Sequence, residues 1–263
     1  MQPIKLVATD YDDTLVGRDN SMVLVSTFKD ELNRLKKEQG TKWAIVTGRR
    51  FRDMLTALKM FSIRGLRPDF LIVSEGYIYV RRRFGFCPML SWNLSMWKQK
   101  RQIKKRLRSQ IIKWKEQLVE RFPGAKDKSL GRTHIWYVFE SEAMCRKADD
   151  FLAERIKDHP ELILFSRQNE LYIGVTFCCK GIALNEVAFR NQISLNAILA
   201  VGDGPNDVSM LNGSSARMNA CVGNACGQLK AAVAEADGYV AEQECVLGVV
   251  ESIKYYRERS KNG

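Results

Sequence analysis

Ile4-Lys5-Leu6-Val7-Ala8-Thr9-Asp10-Tyr11-Asp12-Asp13-Thr14 carries the reading of the fold, because a short apolar run ends on three carboxylates, those of Asp10, Asp12 and Asp13. Residues 4–8 read as a buried parallel strand. Carboxylates this crowded repel one another and resist desolvation, so the arrangement makes physical sense where a cation or a phosphate-bound metal neutralises it. Together with Asp203, the residues Asp10, Asp12 and Thr14 point to metal-assisted phosphoryl chemistry.

The same grammar recurs outward from this stretch. Residues 43–46 form a second apolar run that ends at Thr47-Gly48-Arg49-Arg50. Between the two runs, residues 26–37 carry Phe28, Leu32 and Leu35 at helical spacing, and Gly40 supplies a stop signal, which makes a βαβ unit. An amphipathic stretch around Met54, Leu55 and Leu58 precedes a third strand at residues 70–73, and residues 198–201 read as a fourth, ending at Gly202-Asp203-Gly204. This alternation predicts an α/β fold with a doubly wound, mainly parallel sheet and its site at the carboxyl ends of the strands.

The middle of the chain reads differently. Residues 95–120 suggest one long helix with Ile103, Leu107, Ile111, Trp114 and Leu118 on a stripe. A strand at 134–139, a helix at 142–157, and a hairpin of 162–165 with 171–175 about Arg167-Gln168-Asn169 follow. The reading is an inserted α+β module at 81–175, which leaves a catalytic core assembled from 1–80 and 176–263.

At 263 residues the chain can bury a full core. No apolar stretch approaches the roughly 20 residues that span a bilayer, and residues 1–10 are too short and charged for a secretory signal, so a cytoplasmic protein is expected. Seven cysteines without CxxC spacing argue against a disulfide framework or a structural zinc site and read as small buried thiols in a reducing compartment. The formal net charge is +12, and residues 81–115 hold twelve Lys or Arg and no Asp or Glu, so this segment matches the whole excess. Such a run attracts phosphorylated metabolites, nucleic acid or an acidic surface, though a solvated helix face is its commoner explanation.

Asp10, first after its strand, is placed to attack phosphorus as a nucleophile, and Asp12, two residues on, to protonate the leaving oxygen and then deprotonate water. Alone this DxDxT pattern is weak, since acidic strand-to-loop turns are common. Thr47 and Gly48 offer a hydroxyl and an approachable amide at a helix start, with Arg49 beside them as a further phosphate-binding candidate. Lys180, opening a helical stretch at 182–188, is placed to neutralise charge between Asp10 and a phosphoryl group. Gly202-Asp203-Gly204-Pro205-Asn206-Asp207 sets two carboxylates four residues apart in a tight turn. Hard oxygen donors, with only His134 and His159 as histidines, favour Mg2+ over zinc.

These four pieces, in this order, resemble the haloacid dehalogenase (HAD) superfamily of phosphohydrolases. Gly223-Asn224-Ala225 and the tail Leu247-Gly248-Val249-Val250 are similar to its Cof-type subgroup. The resemblance implies a type IIB cap where the inserted module lies, with sugar phosphates as the default substrates. It also implies Asp10 as nucleophile, Asp12 as general acid/base, and Thr47 and Lys180 holding the phosphoryl group. Mg2+ would be held by Asp10, the Asp12 backbone carbonyl and Asp203, with Asp207 supporting and Asn206 orienting its neighbours. Two positions depart from the subgroup: Glu75-Gly76-Tyr77 stands where Asn-Gly-Ala is usual, and Asp13 replaces a common glycine.

A phosphosugar mutase would share the nucleophile and the acid/base, and differ only in the acceptor. A third class, a nucleic-acid or anionic-surface binding module, would use residues 81–115 with Trp92, Trp97 and Trp114 as stacking groups. Trp114 falls on the apolar stripe and no nucleic-acid motif accompanies the charge, which argues against that class. The expected partner is a small phosphorylated substrate, with neither membrane nor nucleic acid.

Overall fold

The computed structural model of the chain describes residues 1–17, 22–63, 65–129 and 131–261. It divides into two compact units, one of Met1–Asn93 with Cys179–Gly263 and one of Leu94–Cys178. The first opens with β1 (Leu6–Thr9), every residue of which is buried. Helix α1 (Met22–Gln39) follows and buries Phe28, Leu32 and Leu35, the expected stripe. Then come β2 (Lys42–Val46), α2 (Phe51–Ile63) and β3 (Phe70–Val73), with β1 and β2 and then β2 and β3 paired in parallel. The Thr41 hydroxyl seats β2 by donating to the Ile4 carbonyl at 2.6 Å.

After β3 the chain departs from the expected boundary at residue 81. β4 (Tyr77–Arg82) and β5 (Gly85–Pro88) continue the core sheet antiparallel, so residues 81–93 belong to the first unit rather than to the inserted module. Pairing with β3 is the cause. The Arg81 amide donates to the Asp69 carbonyl at 2.9 Å and its guanidinium to the Asp69 carboxylate at 2.7 Å, which ties a basic residue into the ladder.

Helix α3 (Leu90–Arg106) carries the chain into the second unit, where α4 (Arg108–Arg121) succeeds it. The single helix expected over 95–120 is therefore two. The break falls at Leu107, with φ −95° and ψ 11° and neither glycine nor proline nearby. The apolar stripe survives because Leu107 N–H still donates to Ile103 and Ile111 N–H to Leu107, both at 2.9 Å. Leu107, Ile111, Trp114 and Leu118 are all buried, so Trp114 is core and not a stacking platform. The unit continues through β6 (Lys126–Asp127), β7 (Trp136–Val138), α5 (Glu142–Ile156), β8 (Leu162–Arg167) and β9 (Glu170–Val175). These strands make an antiparallel sheet in the order β6-β7-β9-β8. The Ser141 hydroxyl caps α5 by accepting the Met144 amide.

The chain returns to the first unit through α6 (Lys180–Arg190), β10 (Ile198–Gly202), α7 (Val208–Leu211), β11 (Met218–Cys221), α8 (Gly227–Glu235), β12 (Tyr239–Val240) and α9 (Cys245–Lys261). The finished sheet has the order β12-β11-β10-β1-β2-β3-β4-β5, parallel from β12 to β3. β10, β1, β2 and β3 thus lie side by side with their carboxyl ends on one edge, the doubly wound α/β arrangement.

All seven cysteines are unbridged, but only Cys145, Cys178 and Cys221 are buried; Cys87 is exposed, and Cys179, Cys226 and Cys245 are half-buried. Of the basic segment, Lys98, Arg101, Lys105, Arg106 and Arg108 are exposed on α3 and α4, with the Arg101 guanidinium 5.2 Å from the exposed Trp97 ring. Among the described residues, no helix is long and apolar enough to cross a membrane. Leu118, fully buried in the core of the second unit, should cost about 2–5 kcal/mol when replaced by Ala, read as a lowered urea midpoint.

Candidate active site

Three of the candidate residues stand where strands of the parallel sheet end, and the fourth opens a helix. Asp10 follows β1, and its amide donates to the Val201 carbonyl of β10 at 3.0 Å. Asp203 follows β10, Thr47 follows β2, and Lys180 is the first residue of α6. Lys180 is fully buried and its ammonium lies 2.9 Å from Asp10 Oδ1 and 2.6 Å from Asp207 Oδ1. A buried ammonium needs such partners, since an unpaired charge there would be strongly unfavourable.

The other oxygen of Asp207 accepts the amides of Asp203, at 3.0 Å, and Gly204, at 2.9 Å. Asp207 thus binds the lysine with one oxygen and shapes its own loop with the other. The turn requires glycine at 202, where a Cβ would lie 2.5 Å from the Asp207 carboxyl carbon. Thr14 is drawn into the cluster by donating its hydroxyl to Asp203 Oδ1 at 2.8 Å. Asn224 Nδ2 donates to the Asp13 carbonyl at 2.8 Å, and its Oδ1 accepts the Cys245 amide, also at 2.8 Å, which fastens the loop after Asp10 to the start of α9. Asp13 itself sits at φ 54°.

Asp10, Asp203 and Asp207 each present one oxygen within 4.8 Å of the others, and all three are buried. Among the described residues they are the one such group of His, Cys, Asp and Glu. An all-carboxylate donor set without nitrogen or sulfur fits a hard divalent cation such as Mg2+. Burial raises the pKa of the Asp10 carboxyl well above the usual range; Lys180 opposes this, and Asp207 and Asp203 add to it. For Lys180 burial disfavours the charge, but Asp10, Asp207 and Glu75 outweigh it and hold the ammonium well above its ordinary value.

Asp12 and Arg49 form a separate pair at the rim. The guanidinium grips both carboxylate oxygens, Nε to Oδ2 at 2.8 Å and Nη2 to Oδ1 at 2.5 Å, and lies 5.0 Å from the Tyr11 ring. Arg49, expected among the phosphate-binding residues, is paired here with Asp12. The buried Thr47 hydroxyl accepts the Arg49 amide at 3.1 Å, so its own proton is the group it can donate. Asn206 donates to Glu75 Oε1 at 3.1 Å. The sequence reading did not anticipate the Asp12–Arg49 grip or the Asn206–Glu75 bond, whose partners are 37 and 131 residues apart. The only sequence signal for Glu75 is its departure from the usual Asn-Gly-Ala turn. His134 and His159 stand in the second unit, where His159 packs against the Trp114 ring at 5.6 Å and burial pushes His134 down to about 4.

Lys180→Met removes the cation from two buried carboxylates and should cost about 3–5 kcal/mol at neutral pH without divalent metal. Because the folded-state pKa of Lys180 is raised above 10.5 by its carboxylate partners, the wild-type contribution is present below 10.5 while those partners are ionised and is lost as pH rises through the raised value. In the variant the exposed penalty is that of the carboxylates, so the deficit should shrink as they protonate. Urea midpoints at pH 8 and pH 5 check this.

The family model described as sucrose-6F-phosphate phosphohydrolase matches residues 3–257. A protein named phosphoglycolate phosphatase 2, from Saccharolobus solfataricus, is 28% identical over 251 residues, covering 94% of this chain and 89% of its own. The sucrose-phosphatase of Synechocystis sp. PCC6803, solved with sucrose and phosphate, superposes with a TM-score of 0.70 at 18% identity, covering 97% of this chain and 98% of that one. The HAD subclass IIB sugar phosphatase BT4131 gives 0.63 at 16% identity, covering 96% and 98%. With a match running from the strand before Asp10 into the last helix, and with the fold of the HAD subclass IIB structures, the chain belongs to the sucrose-6F-phosphate phosphohydrolase family.

Proposed function

We propose that this phosphatase hydrolyses a phosphomonoester of a small hydroxylated metabolite, of the sugar-phosphate class, through a phosphorylated Asp10 and with Mg2+. The observation that carries the reading is the Lys180 ammonium held between Asp10 and Asp207, beside Asp203, at the carboxyl ends of the central strands. Asp10, Asp203 and the Asp12 backbone carbonyl are the groups that would hold Mg2+, with Asp207 supporting through its loop. When bound, the ion supplies positive charge that offsets the crowded carboxylates and the phosphoryl oxygens.

In the first half-reaction an oxygen of Asp10 attacks phosphorus as the bond to the leaving oxygen breaks, and the Asp12 carboxyl gives that oxygen its proton. In the second, Asp12 takes a proton from water, whose oxygen attacks phosphorus and releases the Asp10 carboxylate and inorganic phosphate. Lys180 and Thr47 donate to the phosphoryl oxygens and hold them in line with Asp10. Asp12 can serve this cycle only when Arg49 loosens its grip. A phosphoryl dianion entering beside Arg49 competes for that guanidinium, which links release of Asp12 to the arrival of substrate. The inserted unit Leu94–Cys178 would contribute to the choice of leaving group.

Asp10→Asn should lower kcat by about 10^3-fold or more with the fold intact. Asp12→Asn should cost about 10^2- to 10^4-fold, most with a poorly leaving alcohol and least with p-nitrophenyl phosphate. Chelation should abolish phosphate release and Mg2+ restore it. Full turnover by Asp10→Asn, or by exhaustively chelated enzyme, contradicts the proposal.

A further inference from the structure

Glu75 has no part in the catalytic cycle above, yet its carboxylate is fixed at the heart of the same loops. The turn after β3 passes through two successive residues in the left-handed region, Ser74 at φ 47° and Glu75 at φ 68°, where L side chains are disfavoured. Main-chain bonds hold it there, from the Ser74 amide to the Arg49 carbonyl at 2.9 Å and from the Glu75 amide to the Thr47 carbonyl at 3.3 Å. The turn is thereby laced to the loop that bears Thr47.

The side chain that this strained turn presents lies against two further pieces of the site. Its Oε1 accepts the Asn206 amide at 3.1 Å, and a Cβ on Gly48 would stand 2.6 Å from that same oxygen. Glycine at 48 leaves the room that the carboxylate fills. The charge of Glu75 is also felt at Lys180, beside those of Asp10 and Asp207.

We propose that Glu75 is a specificity-determining residue, whose fixed negative charge favours phosphomonoesters with an uncharged, hydroxylated leaving group and rejects those whose leaving group bears a carboxylate. The inference rests on the phosphatase reading above. Asp10, Asp12, Glu75, Asp203 and Asp207 carry five formal negative charges against two positive ones on Arg49 and Lys180, and Arg49 is already paired with Asp12. Glu75 adds one negative charge to that set, which a neutral Asn at 75, as in the resembling subgroup, would not. A second anionic group on the substrate enters against this excess. Between like charges several ångströms apart in a partly dry site, the repulsion amounts to about tenfold or more in affinity.

The test is inhibition of p-nitrophenyl phosphate hydrolysis, with Mg2+ present, by glycerol 3-phosphate and by 3-phosphoglycerate, which match in size and differ in a hydroxymethyl against a carboxylate. In the wild type glycerol 3-phosphate should compete about tenfold or more tightly. Glu75→Gln, which keeps the acceptor for Asn206 and loses the charge, should shrink that ratio about tenfold, while Glu75→Asp, which keeps the charge, should hold it within about twofold. A wild-type ratio at or below one overturns the inference, as does a ratio unmoved by Glu75→Gln, and the wild-type result stands even if a variant fails to fold. If the wild type with Mg2+ hydrolyses neither p-nitrophenyl phosphate nor any of a panel of sugar phosphates, the proposed function fails and the inference falls with it.

Discussion

The fully buried ammonium of Lys180, 2.9 Å from Asp10 and 2.6 Å from Asp207, is the contact on which the rest of the site depends. Carboxylates this close, in so dry a place, are sustained only by an opposing charge that cannot leave. Lys180 is fixed as the first residue of α6, so the position of the charge follows from the packing of a helix and not from a mobile side chain on the surface. The cost of burying these charges is met by the hydrophobic core of the doubly wound sheet, whose central strands β1 and β10 are buried throughout.

Around that contact the backbone is bent to suit. Asp207 can reach both Lys180 and the amides of Asp203 and Gly204 because position 202 lacks a Cβ, and Asp13 and Glu75 occupy left-handed conformations in loops that flank the cluster. Residues held in sparsely populated regions persist where their surroundings over-determine them. Here the bonds of Asn224 to Asp13 and of Ser74 and Glu75 to the loop at 47–49 do so. The candidate site therefore rests on loops tightened by one another rather than on any one motif.

How much of this was legible in the chain follows from the range of each interaction. The carboxylate run at Asp10, the lysine at 180 and the glycine-rich turn at 202–207 announce their chemistry locally, and the ends of β1 and β10 with the start of α6 bring them together. The antiparallel strands β4 and β5 are set by pairing with β3, which local pattern does not reveal, and so the inserted unit begins later than residue 81. The break at Leu107 lacks glycine and proline and leaves the apolar stripe undisturbed, so periodicity reads through it. Arg49 gripping Asp12 and Glu75 holding Asn206 join residues far apart through turns of unusual backbone geometry, and neither bond is written in spacing.

The central claim is that a carboxylate oxygen of Asp10, the partner of Lys180, becomes covalently bonded to phosphorus. The most direct measurement is an acid quench of the enzyme during turnover of a phosphomonoester with Mg2+, followed by peptide mapping of the acid-stable acyl phosphate. The account predicts phosphate on the peptide that contains Asp10, absent from Asp10→Asn and absent when Mg2+ is chelated. Phosphate on any other residue, or steady turnover with no phosphorylated peptide when hydrolysis of the phosphoenzyme is rate-limiting, would contradict it.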